Sequence, residues 1–285
     1  DDFPELGGDT TLEQCLKETN EIGFSGIEAG GKFPKKSNEL IPKLEKENLK
    51  LCSGWYGANL LKNTVKEEIL IMKNQLDLFK ECNAPCMVVA EVSGSIQGQS
   101  KKPLSNRPIL DNDEWKTLYN RINEIGKFMH DSGVPLAYHH HMGTVVQSQE
   151  DTERLIDNTS DAVKLLIDTG HMMFAGGDFA KIAKDYSARL YHVHCKDIRK
   201  DVLDKALKND LSFIDAFFAG AFTVPGDGCI DYNHFLKILK DLNYEGWLVV
   251  EAEQDPKKAN PFEYGKIGFN HLKKIALDCG FEITR

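Results

Sequence analysis

Short apolar runs alternate with longer amphipathic stretches along most of the chain. The apolar runs are continuous rather than alternating, which is typical of parallel strands buried on both faces. They predict strands at 26–28, 50–54, 84–91, 135–139, 163–168, 189–194 and 246–251. The amphipathic stretches predict helices at 12–22, 38–47, 65–81, 113–132, 149–158, 179–186, 232–242 and 264–279.

This order of elements predicts an α/β fold, a (β/α)8 TIM barrel that lacks its first strand. No strand precedes the helix at 12–22, and the polar, turn-rich segment 1–10 opens the chain. Because an open barrel leaves two unpaired strand edges, we expect the first strand to lie upstream of Asp1. Residues after 194 form an insertion that runs to Val224 and is predicted to hold one or two helices. We find no linker, so the chain is predicted to form a single catalytic domain over 1–285.

Three consecutive histidines, His139, His140 and His141, end one of the predicted strands. Successive side chains of a strand point to opposite faces, so His139 and His141 share one face and His140 occupies the other. Two converging imidazoles suit a borderline divalent metal or acid–base chemistry near neutral pH. Taken alone, they are equally consistent with histidines that make only local hydrogen bonds.

The same chemistry recurs at the next strand ends, and six of the nine histidines lie at three consecutive ends. In a TIM barrel the carboxyl ends of the strands form the active-site rim. Four successive strands would each deliver one ligand there, with the first spacings close to the roughly 30 residues of one βα unit. We therefore predict a divalent metal bound by His139, Asp168, His194 and Glu251. Mixed nitrogen and oxygen ligands suit manganese, cobalt, zinc or iron, whereas calcium and magnesium prefer ligand shells made only of oxygen.

Each of these residues also has a structural interpretation. A strand-end aspartate such as Asp168 can cap the following helix. His192 is consistent with a buried histidine that bonds to the backbone. Glu253 can face solvent or pair with Lys196.

Several motifs resemble those of the xylose isomerase-like superfamily of metal-dependent barrels and, within it, the inosose dehydratases of bacterial inositol catabolism. The stretches that carry the resemblance span the chain: 4–10, 30–34, 53–56, 94–98, 138–144, 168–171, 192–197, 224–228 and 249–256. The superfamily usually has Glu at the end of the fifth strand and His two residues later. In this chain His139 stands at the Glu position and His141 at the His position, so the implied ligand set contains two histidines and two carboxylates.

The resemblance implies loss of water from 2-keto-myo-inositol, giving a trihydroxycyclohexane-dione. A metal would stabilise the enolate, a base would remove the α-proton and an acid would protonate the β-hydroxyl. The acid–base candidates are His141, His171, Glu253 and Lys196, with their individual roles unassigned. The substrate-binding candidates are Lys32, Trp55, Glu91 and Gln97. A metal-dependent sugar isomerase or epimerase, or a metal-free sugar-binding barrel, is the alternative.

The amino-acid composition limits the classes of partner that this protein is expected to bind. The net charge is −9 and no Lys/Arg run is long enough to follow phosphates, which argues against nucleic acid. No apolar run approaches the roughly 18 residues of a membrane span, and no signal peptide opens the chain. Seven scattered cysteines without a CxxC pair are typical of free thiols in the cytoplasm. We expect a small polyol or cyclic ketone as substrate, and a homo-oligomer is compatible with the sequence.

Overall fold

The computed structural model describes residues 6–284. Seven parallel strands form one sheet and pair in their order along the chain. These strands are β1 Gly26–Ala29, β2 Lys50–Ala58, β3 Met87–Glu91, β4 Leu136–His139, β5 Val163–Asp168, β6 Leu190–Cys195 and β9 Leu248–Val250. All seven predicted strands are present, and a strand order without reversal is that of a curled barrel sheet rather than a doubly wound sheet.

Eleven helices connect and cover these strands within the described residues. They are α1 Leu12–Ile22, α2 Ser37–Lys46, α3 Val65–Glu81, α4 Asn112–Ser132, α5 Gln149–Asp157, α6 Thr169–Phe174, α7 Phe179–Asp185, α8 Lys200–Lys208, α9 Phe213–Phe218, α10 Tyr232–Asp241 and α11 Pro261–Asp278. A single 3₁₀ turn covers Leu104–Asn106. Two short strands, β7 Asp197–Ile198 and β8 Phe222–Thr223, pair antiparallel within the insertion after β6.

The two outer strands of the sheet approach each other. A Cβ atom added to Gly26 of β1 would lie 2.6 Å from the indole of Trp247, which directly precedes β9. Glu28 of β1 also reaches His192 and His194 of β6. These contacts curl the sheet around a shared interior. The predicted strand upstream of Asp1 lies outside the described residues and stays a prediction.

Side-chain alternation divides each strand between the interior of the barrel and the surrounding helices. Val89, Leu165 and Val193 belong to the large apolar clusters that include helix residues. The alternate positions Val88, Ala137 and Leu166 form a separate small cluster inside the barrel. Because the period of a strand is two, the same inward face ends in His139, Asp168 and His194. The apolar pattern that builds the core therefore also aims these side chains into the interior.

The structure contains three features that the pattern did not predict. Helix α6 begins directly after Asp168, β2 continues to Ala58, and β7 and β8 form a ribbon within the insertion. The insertion holds two helices, α8 and α9, in agreement with the prediction. Within residues 6–284, no helix combines the length and apolar character needed to cross a membrane.

Candidate active site

Four side chains from consecutive strand ends converge at the carboxyl edge of the sheet: His139, Asp168, His194 and Glu251. One ligand-type atom from each lies within 4.8 Å of the others. Asp168 Oδ2 is 3.7 Å from His139 Nε2 and 3.6 Å from His194 Nδ1. Such spacings suit atoms that share one ion at bond lengths of about 2.0–2.3 Å.

Unpaired polar atoms at this point fit a cation. Asp168 Oδ2, His194 Nδ1 and Glu251 Oε2 are buried and make no aligned hydrogen bond to any described residue. Glu251 Oε2 lies 2.7 Å from His194 Nδ1. Both carboxylate oxygens lie 3.2–3.4 Å from the Lys196 ammonium, but buried polar atoms that lack an aligned hydrogen bond are costly. A divalent cation between the three atoms would satisfy all of them. The donor set thus fits a metal ion.

Carboxylates on both sides of His194 favour positive charge at its ring. Burial alone lowers the pKa of His194, but Glu28 and Glu251 outweigh it and raise the pKa well above its usual value. A metal ion next to Nδ1 would take the place of a proton there, since a metal ligand must be deprotonated.

Asp168 uses its two oxygens differently. Oδ1 accepts a hydrogen bond of 2.7 Å from the backbone N–H of His171 and caps α6. Oδ2 faces the other members of the metal-type group, which consists of His139, Asp168, His194 and Glu251. The capping role and the ligand role, which the sequence offered as alternatives, are therefore compatible in one side chain.

A second group of ionisable side chains adjoins the first and is centred on Lys196, which is fully buried. Its ammonium donates to Glu253 Oε2 at 2.8 Å and lies 2.9 Å from His171 Nε2. The imidazole of His141 lies 3.9 Å from Glu253, and its ring centroid lies 3.9 Å from that of His171 with the two rings tilted. All four acid–base candidates therefore belong to one contiguous cluster.

Charge sets the protonation of this second group. Burial lowers the pKa of Lys196, but Asp168, Glu251 and Glu253 outweigh it and raise that pKa, so the ammonium form is favoured. Burial, with His141 and Lys196 nearby, lowers the pKa of His171 well below its usual value. Burial raises the pKa of Glu253, but Lys196 and His141 outweigh it and lower that pKa to about 2.

The Asp-Thr-Gly-His motif holds Lys196 in place. Thr169 Oγ1 donates to the carbonyl of Lys196 at 2.8 Å and accepts from its N–H at 3.2 Å, and the Tyr232 hydroxyl lies 2.9 Å away. A Cβ atom on Gly170 would lie 2.8 Å from Lys196 Cγ. Only glycine permits this approach, so the motif packs against the lysine as well as supplying Asp168 and His171.

A buried carboxylate, Asp197, organises the Pro-Gly-Asp-Gly turn beside the site. It accepts hydrogen bonds from the backbone N–H groups of Ile198, Gly226, Gly228 and Ile230. A Cβ atom on Gly228 would lie 2.2 Å from Asp197 Oδ1. This turn motif, which carried part of the resemblance, therefore has a structural role.

Aromatic residues of the insertion cover the acid–base cluster. Phe213 stacks on His171 at a centroid distance of 5.6 Å and meets His141 at 5.1 Å. Phe222 lies 5.3 Å from His171. His171 and Lys196 are fully buried, whereas the side chains of Glu251 and Glu253 are 33% and 24% exposed. The site is thus most open on its carboxylate side.

The predicted substrate contacts divide into two pairs. Trp55 meets the rings of His139 and His141 edge-on at 5.6 and 5.4 Å. Gln97 packs closely on Gly143, beyond His141, and its Oε1 is a buried acceptor without a hydrogen bond to the described residues. Lys32 instead donates to the backbone oxygens of Gly7 and Thr10.

The fourth candidate, Glu91, is engaged by the backbone. Its carboxylate accepts from the N–H groups of Leu60 at 2.5 Å and Ser93 at 2.7 Å. These bonds support the loops that follow β2 and β3.

Glu28 and His192 were not among the predicted site residues. They lie at the Nε2 side of His194, opposite the metal-type group. Glu28 Oε1 lies 2.9 Å from His192 Nε2 and 3.2 Å from His194 Nε2. Burial raises the pKa of Glu28, but the two histidines outweigh it and lower that pKa to about 2. His192 thus pairs with a carboxylate rather than with the backbone. In the sequence, His192 and His194 are two residues apart and therefore point to the same inward face of β6. This spacing was the indication that His192 belongs to the site.

Comparison with known proteins agrees with this fold. The family model of the xylose isomerase-like TIM barrel matches residues 16–275, and the chain belongs to this family of barrels.

Within that family the chain is similar to a rhizopine catabolism protein and to inosose dehydratases. The chain is 43% identical to the rhizopine catabolism protein MocC of Rhizobium meliloti, over 100% of this chain and 87% of the relative. It is 44% identical to inosose dehydratase 2 of Bacillus cereus, over 93% of this chain and 89% of the relative. The chain is a member of the inosose dehydratase family.

Among solved structures, the IolI protein with a bound zinc atom has a similar fold. Its TM-score is 0.69 at 15% identity, over 97% of this chain and 95% of that one.

Proposed function

We propose that this protein is a metal-dependent hydro-lyase that removes water from 2-keto-myo-inositol. The observation that carries the proposal is the contact between the metal-type group and the acid–base cluster, where Lys196 lies 3.2 Å from Glu251 and 2.8 Å from Glu253. The 43–44% identity to MocC and the inosose dehydratases supports this substrate class.

His139, Asp168, His194 and Glu251 would hold the metal. A bound divalent cation would polarise the ketone oxygen and stabilise negative charge on it. The three carboxylates of Asp168, Glu251 and Glu253 face one ammonium, Lys196, and this excess of negative charge favours a dication. The mixed ligand set favours manganese or cobalt, with zinc or iron as alternatives.

The acid–base cluster would move the protons. In the balanced reaction, the α C–H bond breaks and its electron pair forms a C=C bond as the β C–O bond breaks. The departing hydroxide takes a proton and leaves as water, and the resulting enol becomes the dione. His171, Glu253 and Lys196 contact one another, so a proton accepted by His171 or Glu253 can return through Lys196 to the leaving oxygen. His141 borders the same space.

Substrate positioning falls to side chains around this cluster. Trp55 offers an apolar face beside the two histidines, and the unpaired Gln97 Oε1 offers an acceptor for a polyol hydroxyl. Lys32 and Glu91 stay predictions as substrate contacts. A cytoplasmic location, free of nucleic-acid and membrane partners, and a homo-oligomeric state likewise remain predictions from the sequence.

The test is an activity assay on inosose, before and after metal removal with a chelator. We expect a dione that absorbs in the near ultraviolet, loss of activity with chelator, and recovery on addition of Mn²⁺ or Co²⁺. A product of unchanged mass would indicate an isomerase or epimerase and would contradict the proposal. Full activity in the presence of chelator, in protein shown to be free of metal, would contradict the metal requirement.

A further inference from the structure

A series of polar side chains in contact with one another begins at Nε2 of His194. This nitrogen is on the side of the ring that faces away from the metal-type group. His194 and His192 both direct Nε2 at the same carboxylate oxygen of Glu28, at 3.2 and 2.9 Å. His192 Nδ1 lies 3.7 Å from the thiol of Cys86. These contacts link β1, β6 and Cys86, the residue directly before β3, through the interior of the barrel.

This arrangement favours one tautomer of the His194 imidazole. Since Nδ1 faces Asp168 and Glu251, a ligand role requires a lone pair on Nδ1 and a proton on Nε2. The Glu28 oxygen accepts that proton in a hydrogen bond. His139 has the inverse arrangement, with Nε2 toward Asp168 and Nδ1 at 2.5 Å from the carbonyl of His140. Each histidine ligand therefore has an oxygen acceptor at its outer nitrogen.

His192 in turn fixes Glu28. Strand β1 has four residues, all partly exposed, and the Glu28 side chain must cross the interior to reach β6. His192, whose side chain is 1% exposed, gives this carboxylate a second donor. The Cys86 thiol can donate to His192 Nδ1, which directs the Nε2 proton of His192 toward Glu28.

We propose that Glu28 is a positioning residue that holds His194 in its metal-binding orientation, and that His192 supports Glu28. The inference rests on the metal site of the proposed function. Loss of a group that hydrogen-bonds to a metal ligand typically changes metal affinity by about 10–100-fold.

A second cation between Glu28, His192 and His194 is the alternative, since their ligand atoms also lie within 4.8 Å of one another. Their distances are those of hydrogen bonds, and within the described residues neither Glu28 nor His192 leaves an unpaired buried atom.

The experiment uses Co²⁺ as the probe, with affinity and stoichiometry from equilibrium dialysis and ligand geometry from visible absorption. In Glu28→Gln we expect Co²⁺ affinity to fall about 10–100-fold, with altered absorption bands, because the amide accepts less strongly and permits the other tautomer. The control is Glu68→Gln. Glu68 is a buried carboxylate that bonds to Tyr56, Asn59 and Asn63 outside the site, and its variant should match the parent affinity.

A second pair of variants decides the question if Glu28→Gln does not fold. His192→Gln retains a donor near the position of Nε2 and should stay close to the parent, whereas His192→Ala should bind Co²⁺ more weakly. Equal binding by these two variants overturns the inference, as does a folded Glu28→Gln with parent affinity and spectrum. Two Co²⁺ per parent chain, falling to one in Glu28→Gln, would overturn it in favour of a second cation site. A parent protein that binds no Co²⁺ contradicts the proposed function itself, which separates the two failures.

Discussion

The two oxygens of Asp168 allow its structural and metal roles to be separated by substitution. Oδ1 caps α6 through the His171 N–H, and Oδ2 lies 3.6–3.7 Å from the two histidine ligands. Asp168→Asn keeps a carbonyl oxygen for the cap but replaces the other oxygen with an NH2 group, which cannot serve as a metal ligand. Asp168→Ala removes both.

The size of each effect follows from these contacts. Asn and Asp cap helices comparably, whereas alanine costs about 1 kcal/mol, so Asn should be the more stable variant by that amount. In a chain of 285 residues the difference corresponds to about 2 °C in Tm. Both variants remove the charge that lies 3.4 Å from Lys196, so this shared effect largely cancels in their comparison. Loss of a ligand should weaken metal binding by more than the about 10–100-fold typical of an outer partner.

The assay combines thermal unfolding in chelator with metal content after dialysis. Chelator is needed because metal bound to the folded state raises the apparent Tm. We expect both variants to lose metal and Asn to melt above Ala. Metal retention by either variant would remove Asp168 from the ligand set. Equal Tm values for Asn and Ala would refute the capping argument.

The remaining predictions concern the division between metal and proton transfer. His171→Ala should keep metal affinity and lose about 10²–10⁴-fold in rate, whereas His194→Ala should lose metal and activity together. Equal metal loss in both variants would place His171 in the ligand set, and a near-parent rate in His171→Ala would assign proton transfer elsewhere in the cluster. Phe213→Leu keeps apolar volume but removes the ring stacked on His171, so kcat should fall by up to about 10²-fold through misplacement of the imidazole. Metal affinity should not change, and an unaltered kcat would show that the stacking does not position His171.

Local signals made the helices and strands predictable. Helices α1 and α3 begin and end where the sequence placed them, and each has a threonine cap, Thr11 or Thr64, at its start. The period of two in the strands and the alignment of parallel strand ends explain why the four metal-type residues could be grouped from sequence. Helix α6 was missed because its six residues are too few to display a helical period.

Contacts between distant strands were beyond the sequence pattern. Glu28 meets His192 and His194 across 164 and 166 residues, and such a contact depends on how far the sheet curls. For the same reason, a strand-end position did not reveal that Glu91 is engaged by backbone N–H groups or that Lys32 bonds to Gly7 and Thr10. Side-chain type and position on a strand predict the rim, but the partner of each side chain depends on tertiary register.

The uneven exposure of charge around the site bears on which sugars can enter. The side chains of Glu251 and Glu253 are 33% and 24% exposed, while the compensating Lys196 is fully buried. An approaching molecule therefore meets carboxylates first, and a bound dication would offset only part of their charge. At an effective dielectric constant near 20, one like charge at 4 Å costs about 4 kcal/mol. We therefore expect the entrance to disfavour phosphorylated sugars relative to uncharged cyclic polyols, through electrostatic repulsion that acts before any hydroxyl is recognised.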